Sequence, residues 1–332
     1  MSLSFYAKTT STHAGYLNRL NLPFRYLQQD FPHHSLTLCK ADPDREYNGY
    51  FSYALSPAKN LPYFARWKEK GTWVWVLDDL HSDLPPWHER KTNEEELGLW
   101  AAHRELADLI VVSTPALAEG VGWPEKTLVA PYLIEPSAYR IEGPAPESGK
   151  LRVLWCGSDS HLGDLRLIDG AVDRLVKEFG DRVEFLFIGA GPERSLRDHW
   201  NRGVRLLEWV PLDQYWNLLS AVKPHLTLAP LVDHPFNRCR SNLRVIEAWA
   251  MHSPVVASPV GEYRFLREGV DGLFAETEDQ WVDRVSWLLR EPELRHSLAR
   301  AGRERVEREW SWNNPHCRSP WRSVVEEIES RQ

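Results

Sequence analysis

The stretch Leu226–Ser258 reads LTLAPLVDHPFNRCRSNLRVIEAWAMHSPVVAS, and it joins two apolar runs through a polar loop and an amphipathic segment. Leu226–Pro230 and Val255–Ser258 are short and apolar enough to be buried strands. Between them, residues 241–252 carry apolar side chains at the spacing of one helix face. A strand, a helix and a second strand in this order predict a βαβ unit of a parallel sheet.

Apolar runs and amphipathic stretches alternate through the rest of the chain as well. Further strands are predicted at Leu3–Ala7, Ser35–Cys39, Gly49–Tyr53, Trp73–Leu77, Leu109–Ser113, Thr127–Ala130, Leu151–Cys156, Val183–Ile188 and Val204–Leu207. Helices are predicted over 15–29, 59–69, 93–107, 115–120, 163–179, 213–221, Glu278–Leu289, Pro292–Trp310 and Arg322–Ile328. This alternation predicts an α/β fold with doubly wound, Rossmann-like sheets.

The chain of 332 residues is too long for one hydrophobic core, because such cores stop growing near roughly 250–300 residues. Its 42% hydrophobic and 26% charged residues are an ordinary globular composition, which excludes collagen-like, coiled-coil and disordered classes. The segment Ile141–Lys150, IEGPAPESGK, is typical of a linker. We therefore predict a first domain over 1–145, a second over 146–312, a cleft between them, and a C-terminal helix in 313–332 that packs back on the first domain.

Charge and cysteine content limit the function classes. Forty Lys and Arg stand against 47 Asp and Glu, a net charge of -7 that argues against a general binder of nucleic-acid backbones. The four cysteines lie far apart with no CxxC spacing, which indicates a reducing compartment. The N-terminus does not resemble a signal peptide, and no stretch approaches the ~18 apolar residues of a membrane span. We predict a cytoplasmic monomer or homodimer with no membrane span.

Ligands of open α/β sheets bind beyond the carboxyl ends of the strands, so the loops there are the places to search. Gly157 opens a loop after one predicted strand, where backbone amides can meet an anion. Arg240 lies at the start of the helix over 241–252 and suits a diphosphate, and Glu247 on that helix can accept hydrogen bonds from vicinal hydroxyls. The alternative for each is a plain turn or a solvated helix charge.

Two acidic residues end the most apolar strand of the first half. Asp78 and Asp79 follow WVWVL at Trp73–Leu77, where a carboxylate can orient a hydroxyl or act as a base. Capping of a following turn is the alternative. The chain holds 16 Trp against 2 Met, and Trp87 follows the acidic pair. Some of these indoles are expected to line a site for planar or sugar-like groups, although core packing also explains them.

The second half resembles glycosyltransferases of the GT-B fold, in particular the family 4-like group also found in phages and bacterial glycan clusters. The resemblance rests on RSNLRVIEAWA at 240–250, PVVAS at 254–258, the G-S-x-x-H-x-G-D-L run at 157–165 and the P-L-x-D-x-x-F-N run at 230–237. More loosely, Gly71–Leu84 and Asp108–Ala118 are similar to segments of such enzymes. The resemblance covers most of the chain and is strongest from 151 to 275.

The resemblance implies a nucleotide-sugar donor in the second domain, an acceptor in the first, and no metal. The implied donor-binding residues are Gly157, Ser158, His161, Gly189, Asp233, Asn237, Arg240, Ser241, Asn242 and Glu247, with Glu247 on the ribose and Arg240 on the diphosphate. The implied catalytic residues are Asp78, Asp79 and His13, and the implied acceptor-binding residues are Gly15, Tyr16, Ser113 and Thr114. This chain departs from the family at Cys239, where many members carry a Glu, and at Ser158 and His161–Leu162, where many carry an Arg and a Lys.

We therefore predict a hexosyltransferase that moves a sugar from a UDP- or GDP-linked donor to a hydroxyl, with retention of configuration, as the family implies. The acceptor is a glycan or a modified phage DNA base. Two alternatives stay open: a sugar-nucleotide epimerase of the same fold, and a non-catalytic nucleotide- or glycan-binding module. Release of free nucleoside diphosphate would separate the transferase from the epimerase.

Overall fold

The computed structural model describes residues 4–8, 17–39, 46–147, 149–189, 203–208, 210 and 212–332. A first sheet contains β1 (Ser4–Lys8), β2 (Ser35–Cys39), β3 (Gly49–Tyr53), β4 (Thr72–Leu77), β5 (Leu109–Val112) and β6 (Thr127–Val129). Its strands are all parallel, in the order β2-β1-β3-β4-β5-β6. A second sheet contains β7 (Leu151–Gly157), β8 (Val183–Gly189), β9 (Val204–Leu207), β10 (Leu226–Ala229), β11 (Val255–Ala257) and β12 (Leu273–Phe274). It is also parallel, in the order β12-β11-β10-β7-β8-β9.

Helices connect the strands of both sheets. In the first half these are α1 (Leu22–Asp30), α2 (Leu61–Lys70), α3 (Glu94–Leu106) and α4 (Pro115–Val121). In the second half they are α5 (Leu162–Leu165), α6 (Asp169–Phe179), α7 (Leu212–Val222), α8 (Pro235–Arg238), α9 (Leu243–Ala250), α10 (Glu278–Arg290), α11 (Pro292–Glu309) and α12 (Pro315–Ser330). Two parallel six-stranded sheets with flanking helices confirm the predicted α/β fold class.

The apolar strand β4 shows why these sheets are buried on both faces. Val74 and Val76 pack in one apolar cluster, whereas Trp73 and Trp75 pack in another on the opposite face. A strand covered on both faces reads as a continuous apolar run, as WVWVL does. The Trp73 indole N–H donates a hydrogen bond to Ser52 Oγ at 2.9 Å, so its polar group has a partner inside the core. The tryptophans of β4 therefore serve to pack the core.

The structure corrects several predicted elements. The helix predicted over 163–179 is interrupted between α5 and α6, and β12 is an additional strand. The last helix begins at Pro315 and runs through Pro320, whereas the sequence placed its start at Arg322. A proline at the first helical position is favourable, and the Asn314 side chain caps the helix by accepting from the His316 amide at 2.8 Å.

The C-terminal helix α12 packs against the first sheet's elements. Arg318 and Arg322 both pair with Asp30 at the end of α1, at 2.8 and 3.3 Å. The Ile328 and Trp321 side chains are fully buried in the same apolar cluster as the first strand. In the described part of the chain, no helix combines the length and apolar character needed to cross a bilayer.

The strand order of the second sheet indicates where a ligand binds. The chain runs outward from β7 to β9 and then returns to the other side of β7 with β10. A crevice therefore opens between the loops that follow β7 and β10, the point where doubly wound sheets bind nucleotides. The loop after β7 begins at Gly157, and the loop after β10 leads to Arg240.

Candidate functional site

A cavity of about 450 Å³ lies at the carboxyl ends of both sheets. The first half contributes the end of β4, and the second contributes the loop after β7 and the start of α9. The cavity lining contains eight of the predicted residues: Asp78, Asp79, Gly157, Ser158, His161, Arg240, Ser241 and Glu247. Its volume is within the usual range for a small-molecule site.

Gly157 lets the backbone approach the aromatic floor of the cavity. A Cβ atom at this position would come within 2.6 Å of the Trp155 ring and 2.8 Å of Arg244 Nη2, closer than real Cβ contacts. Trp155 is fully buried beneath the loop, and the Arg244 guanidinium lies over its ring at 5.4 Å. The position therefore requires glycine for packing.

His161 and Asp164 form a buried pair behind the loop. The His161 ring contacts Asp164 Oδ2 through Nδ1 at 2.7 Å. Asp164 Oδ1 accepts from the Val232 amide and from Asn237 Nδ2, both at 2.8 Å. Burial, with Arg240 nearby, lowers the pKa of His161 well below its usual value, while burial raises the pKa of Asp164 to about 6. The neutral ring therefore donates to Asp164 and offers Nε2 to Arg240.

Arg240 connects the two halves of the site. Its guanidinium donates to the His161 ring, to Ser160 Oγ at 2.9 Å, and to Asp79 Oδ1 at 3.2 Å. It also lies over the Phe236 ring at 4.7 Å. Because Asp79 comes from the first sheet and Arg240 from the second, this ion pair crosses the cleft.

Arg244 is a second cation in the cavity, and the sequence reasoning did not identify it. Nε donates to the Cys156 carbonyl at 2.8 Å, whereas the buried Nη1 has no hydrogen-bond partner among the described residues. A buried guanidinium nitrogen without a partner is unfavourable, which points to a ligand that supplies an acceptor. A signal was present in the sequence, since Arg244 and Glu247 are three residues apart and share a helix face.

Glu247 is held by two tyrosines from distant segments. Tyr139 donates to Oε1 at 3.0 Å and Tyr215 donates to Oε2 at 3.4 Å. Burial raises the pKa of Glu247 to about 7, and the two phenols and Arg244 oppose that rise. Each carboxylate oxygen retains a lone pair for a ligand hydroxyl.

Asp78 occupies the other side of the cavity. Its Oδ2 accepts from Tyr132 at 2.7 Å and from Tyr53, while Oδ1 accepts no hydrogen bond from the described residues. Burial and the neighbouring Asp79 raise the pKa of Asp78, and the phenols and Arg19 oppose the rise. Arg19 is fully buried and donates to backbone carbonyls, so it stabilises this corner from behind.

The other predicted residues lie outside the cavity lining. Asp233 pairs with Arg238 at the surface, Asn237 braces Asp164, and Asn242 precedes α9. Gly189 ends β8 with a φ of 101°. Ser113 is buried. His13, Gly15 and Tyr16 lie outside the described residues.

Cys239, at the position where many of the enzymes that this sequence resembles carry a glutamate, packs in an apolar cluster. The residue is buried, and burial raises the pKa of its thiol to about 11. Thr114 caps α4 by accepting from the Leu117 amide, and it donates to the Cys239 carbonyl at 2.8 Å. Thr114 and Cys239 thus form a contact between the two halves.

Trp87 forms another contact between the halves. Its indole lies against Gly163, where a Cβ atom would overlap the ring, and its Nε1 donates to the Ser160 carbonyl at 3.2 Å. The loop that carries His161 is therefore covered from the first half by a flat aromatic side chain.

Residues 168–315 match a protein family described as glycosyl transferase-like. No curated protein matches the chain. Among solved structures, HepE of Anabaena in complex with UDP and glucose is similar at a TM-score of 0.68 and 13% identity, over 99% of this chain and 100% of HepE. A mutant of S. aureus TarM in complex with Fondaparinux, alpha-GlcNAc-glycerol and UDP is similar at a TM-score of 0.64 and 14% identity, over 92% of this chain. This chain spans 58% of the length of TarM.

A Listeria monocytogenes protein described as a UDP-N-acetylglucosamine 2-epimerase is also similar, at a TM-score of 0.59 and 11% identity, over 100% of this chain and 97% of that protein. At such identities the similarity establishes the fold. It is the GT-B fold that the resemblance implied, and the family match together with these structures supports a glycosyltransferase.

Proposed function

We propose that this chain, a glycosyltransferase of the GT-B fold, moves a sugar from a UDP-linked donor to a hydroxyl of a glycan, without a metal ion and with retention of configuration. The observation that carries the proposal is the pair of arginines at the β7/β10 crevice. Arg240 and Arg244 line the same cavity as Gly157, and Arg244 Nη1 lacks a partner among the described residues. HepE and TarM bind UDP with the same fold, which supports a UDP donor.

In this proposal the two arginines bind the diphosphate of the donor. Negative charge develops on the departing nucleoside diphosphate, and fixed guanidinium groups in a buried site stabilise it. Metal-using transferases bind a divalent cation beside this charge, whereas in this proposal the guanidinium groups of Arg240 and Arg244 take its place. Glu247 accepts hydrogen bonds from the ribose hydroxyls, and Tyr139 and Tyr215 fix its carboxylate.

The acceptor binds beside Asp78 and Asp79 on the first domain. The two phenols occupy Oδ2 of Asp78 and leave Oδ1 to accept a hydrogen bond from the acceptor hydroxyl. Asp79 pairs with Arg240, so an ion pair joins the proposed acceptor site to the arginine that is proposed to bind the diphosphate. In this proposal the donor binds to the domain predicted over 146–312 and the acceptor to the domain predicted over 1–145.

The charges around the acceptor half favour a neutral, hydroxyl-rich acceptor over DNA. Burial lowers the pKa of His81 to about 4 and lowers the pKa of His88, so both rings are neutral near pH 7. Arg90 is neutralised by a bidentate pair with Glu96. Among the described residues of the first half that line the cavity, the carboxylates of Asp78 and Glu89 form no ion pair, and such charges repel a phosphate backbone.

A turnover assay tests the proposal. The purified chain is incubated with UDP-glucose or UDP-N-acetylglucosamine and neutral glycosides, and both UDP release and the anomeric configuration of the product are measured. We expect acceptor-dependent UDP release that continues in EDTA and is lost in Arg240→Ala. Arg238→Ala is the matched control, since Arg238 lies two residues away and points to solvent.

Two outcomes would overturn the proposal. Interconversion of sugars with no release of UDP would indicate the epimerase, whose fold is shared by the Listeria protein. UDP binding with no turnover for any acceptor would indicate a binding module.

A further inference from the structure

We propose that His33, His34 and Glu329 form a binding site for a divalent transition-metal ion such as Zn²⁺, separate from the cleft. Each side chain offers one ligand atom, and these three atoms all lie within 4.8 Å of one another. Two imidazole nitrogens and one carboxylate oxygen suit Zn²⁺, whereas Mg²⁺ and Ca²⁺ prefer oxygen ligands alone. Water completes the tetrahedral set.

His34 is held in place before any ion arrives. Its side chain is buried, its ring stacks on Phe31 at 5.5 Å, and the edge of Phe5 packs against it at 5.5 Å. Nε2 lies 3.0 Å from Glu329 Oε1.

His33 and Glu329 provide the solvent-accessible side of the cluster. Both residues are exposed, and the rings of His33 and His34 lie 4.1 Å apart between centroids. Within the described residues, no lysine or arginine pairs with Glu329, and the nearby Arg331 pairs with Glu327 at 3.0 Å. The carboxylate can therefore take a cation that approaches from solvent.

The position of the cluster indicates a structural role. His33 and His34 precede β2, so they lie at the edge of the first sheet where its parallel strands begin, opposite to the edge that carries Asp78. Glu329 lies in the last turn of α12. An ion at this place would fasten the end of α12 to the first domain, beyond the ion pairs that Asp30 makes with the start of the same helix.

Calorimetric titration of the full chain with Zn²⁺ tests the site. We expect one ion per chain, with affinity at least tenfold weaker in His33→Ala and in Glu329→Gln, whose exposed side chains can change without loss of the fold. His296→Ala is the matched control, because His296 lies outside the cluster and pairs with Glu147 at 3.0 Å. This variant should bind Zn²⁺ with the affinity of the unaltered chain. Substitution with Co²⁺ should give a visible absorption band that both site variants lose.

Equal Zn²⁺ affinity in the unaltered chain and both site variants would overturn the proposal. The absence of saturable binding up to about 100 μM Zn²⁺ would also overturn it, because the apparent dissociation constants of structural Zn²⁺ sites are far lower. UDP binding measured in EDTA is expected to be unchanged, so this result is independent of the proposed sugar transfer.

Discussion

Replacement of Arg244 with alanine should weaken UDP binding about 100-fold while the fold survives. In the free protein the guanidinium makes one hydrogen bond to the described residues, from Nε to the Cys156 carbonyl, and it lies over Trp155. Its loss there costs on the order of 1 kcal/mol of stability, partly offset because the buried Nη1 no longer lacks a partner. With a diphosphate bound, charge-assisted bonds of about 1.5–3 kcal/mol are lost, and 3 kcal/mol corresponds to roughly 100-fold in affinity.

Calorimetry with UDP measures this change directly, and thermal unfolding monitors the fold. Arg244→Lys should recover part of the affinity, because lysine keeps the charge without the planar fork. Arg238→Ala should bind UDP like the unaltered chain, since the Arg238 side chain is exposed to solvent and pairs with Asp233 at the surface. Unchanged UDP affinity in Arg244→Ala would refute the assignment of Arg244 to the diphosphate.

Three further predictions concern the same cavity. Burial raises the pKa of Glu247 from 4.5 to about 7, so the folded state binds this proton more tightly than the unfolded state. The free energy of unfolding should therefore fall as the pH rises between those values, by up to about 3 kcal/mol. Urea unfolding at pH 5 and pH 8 should show this fall in the unaltered chain and not in Glu247→Gln. Asp79→Asn should free Arg240 from its ion pair, so calorimetry should show UDP binding about fivefold tighter, and turnover assays should show no transfer. Weaker UDP binding would contradict this prediction. Gly157→Ala should overlap the Trp155 ring and lose about 1–3 kcal/mol of stability with reduced UDP affinity, and an unchanged melting temperature would contradict the close approach.

The elements around the donor side were predictable from the sequence because their signals are local. The apolar runs of β7 and β10 and the amphipathic face of α9 lie within short windows, so Arg240 could be placed before the helix and Glu247 on it. The interruption after α5 was missed, since the hydrophobic spacing continues across it. A two-residue strand such as β12 carries no periodicity that a sequence window can detect.

The partners of the site residues could not be predicted, because they come from distant segments. Tyr139 lies 108 residues from Glu247, and Tyr132 lies 54 residues from Asp78. The fold of the first domain brings Tyr132 to Asp78, and the packing of the two domains brings Tyr139 to Glu247. The ion pair between Asp79 and Arg240 spans 161 residues and depends on the same packing. The roles of the residues in 9–16, among them His13, stay predictions.

The contact of Trp87 with Gly163 means that a movement of the two domains relative to one another can be followed by tryptophan fluorescence. The indole rests on the loop of the opposite domain, with His234 against it at 5.8 Å, so a separation of the two domains exposes the ring to water. Indole emission shifts to longer wavelength in a polar surrounding. The difference between the emission spectra of the unaltered chain and Trp87→Phe therefore isolates one reporter among 16 tryptophans. Stopped-flow mixing with UDP can then measure how fast the surroundings of Trp87 change on binding, separately from the transfer reaction.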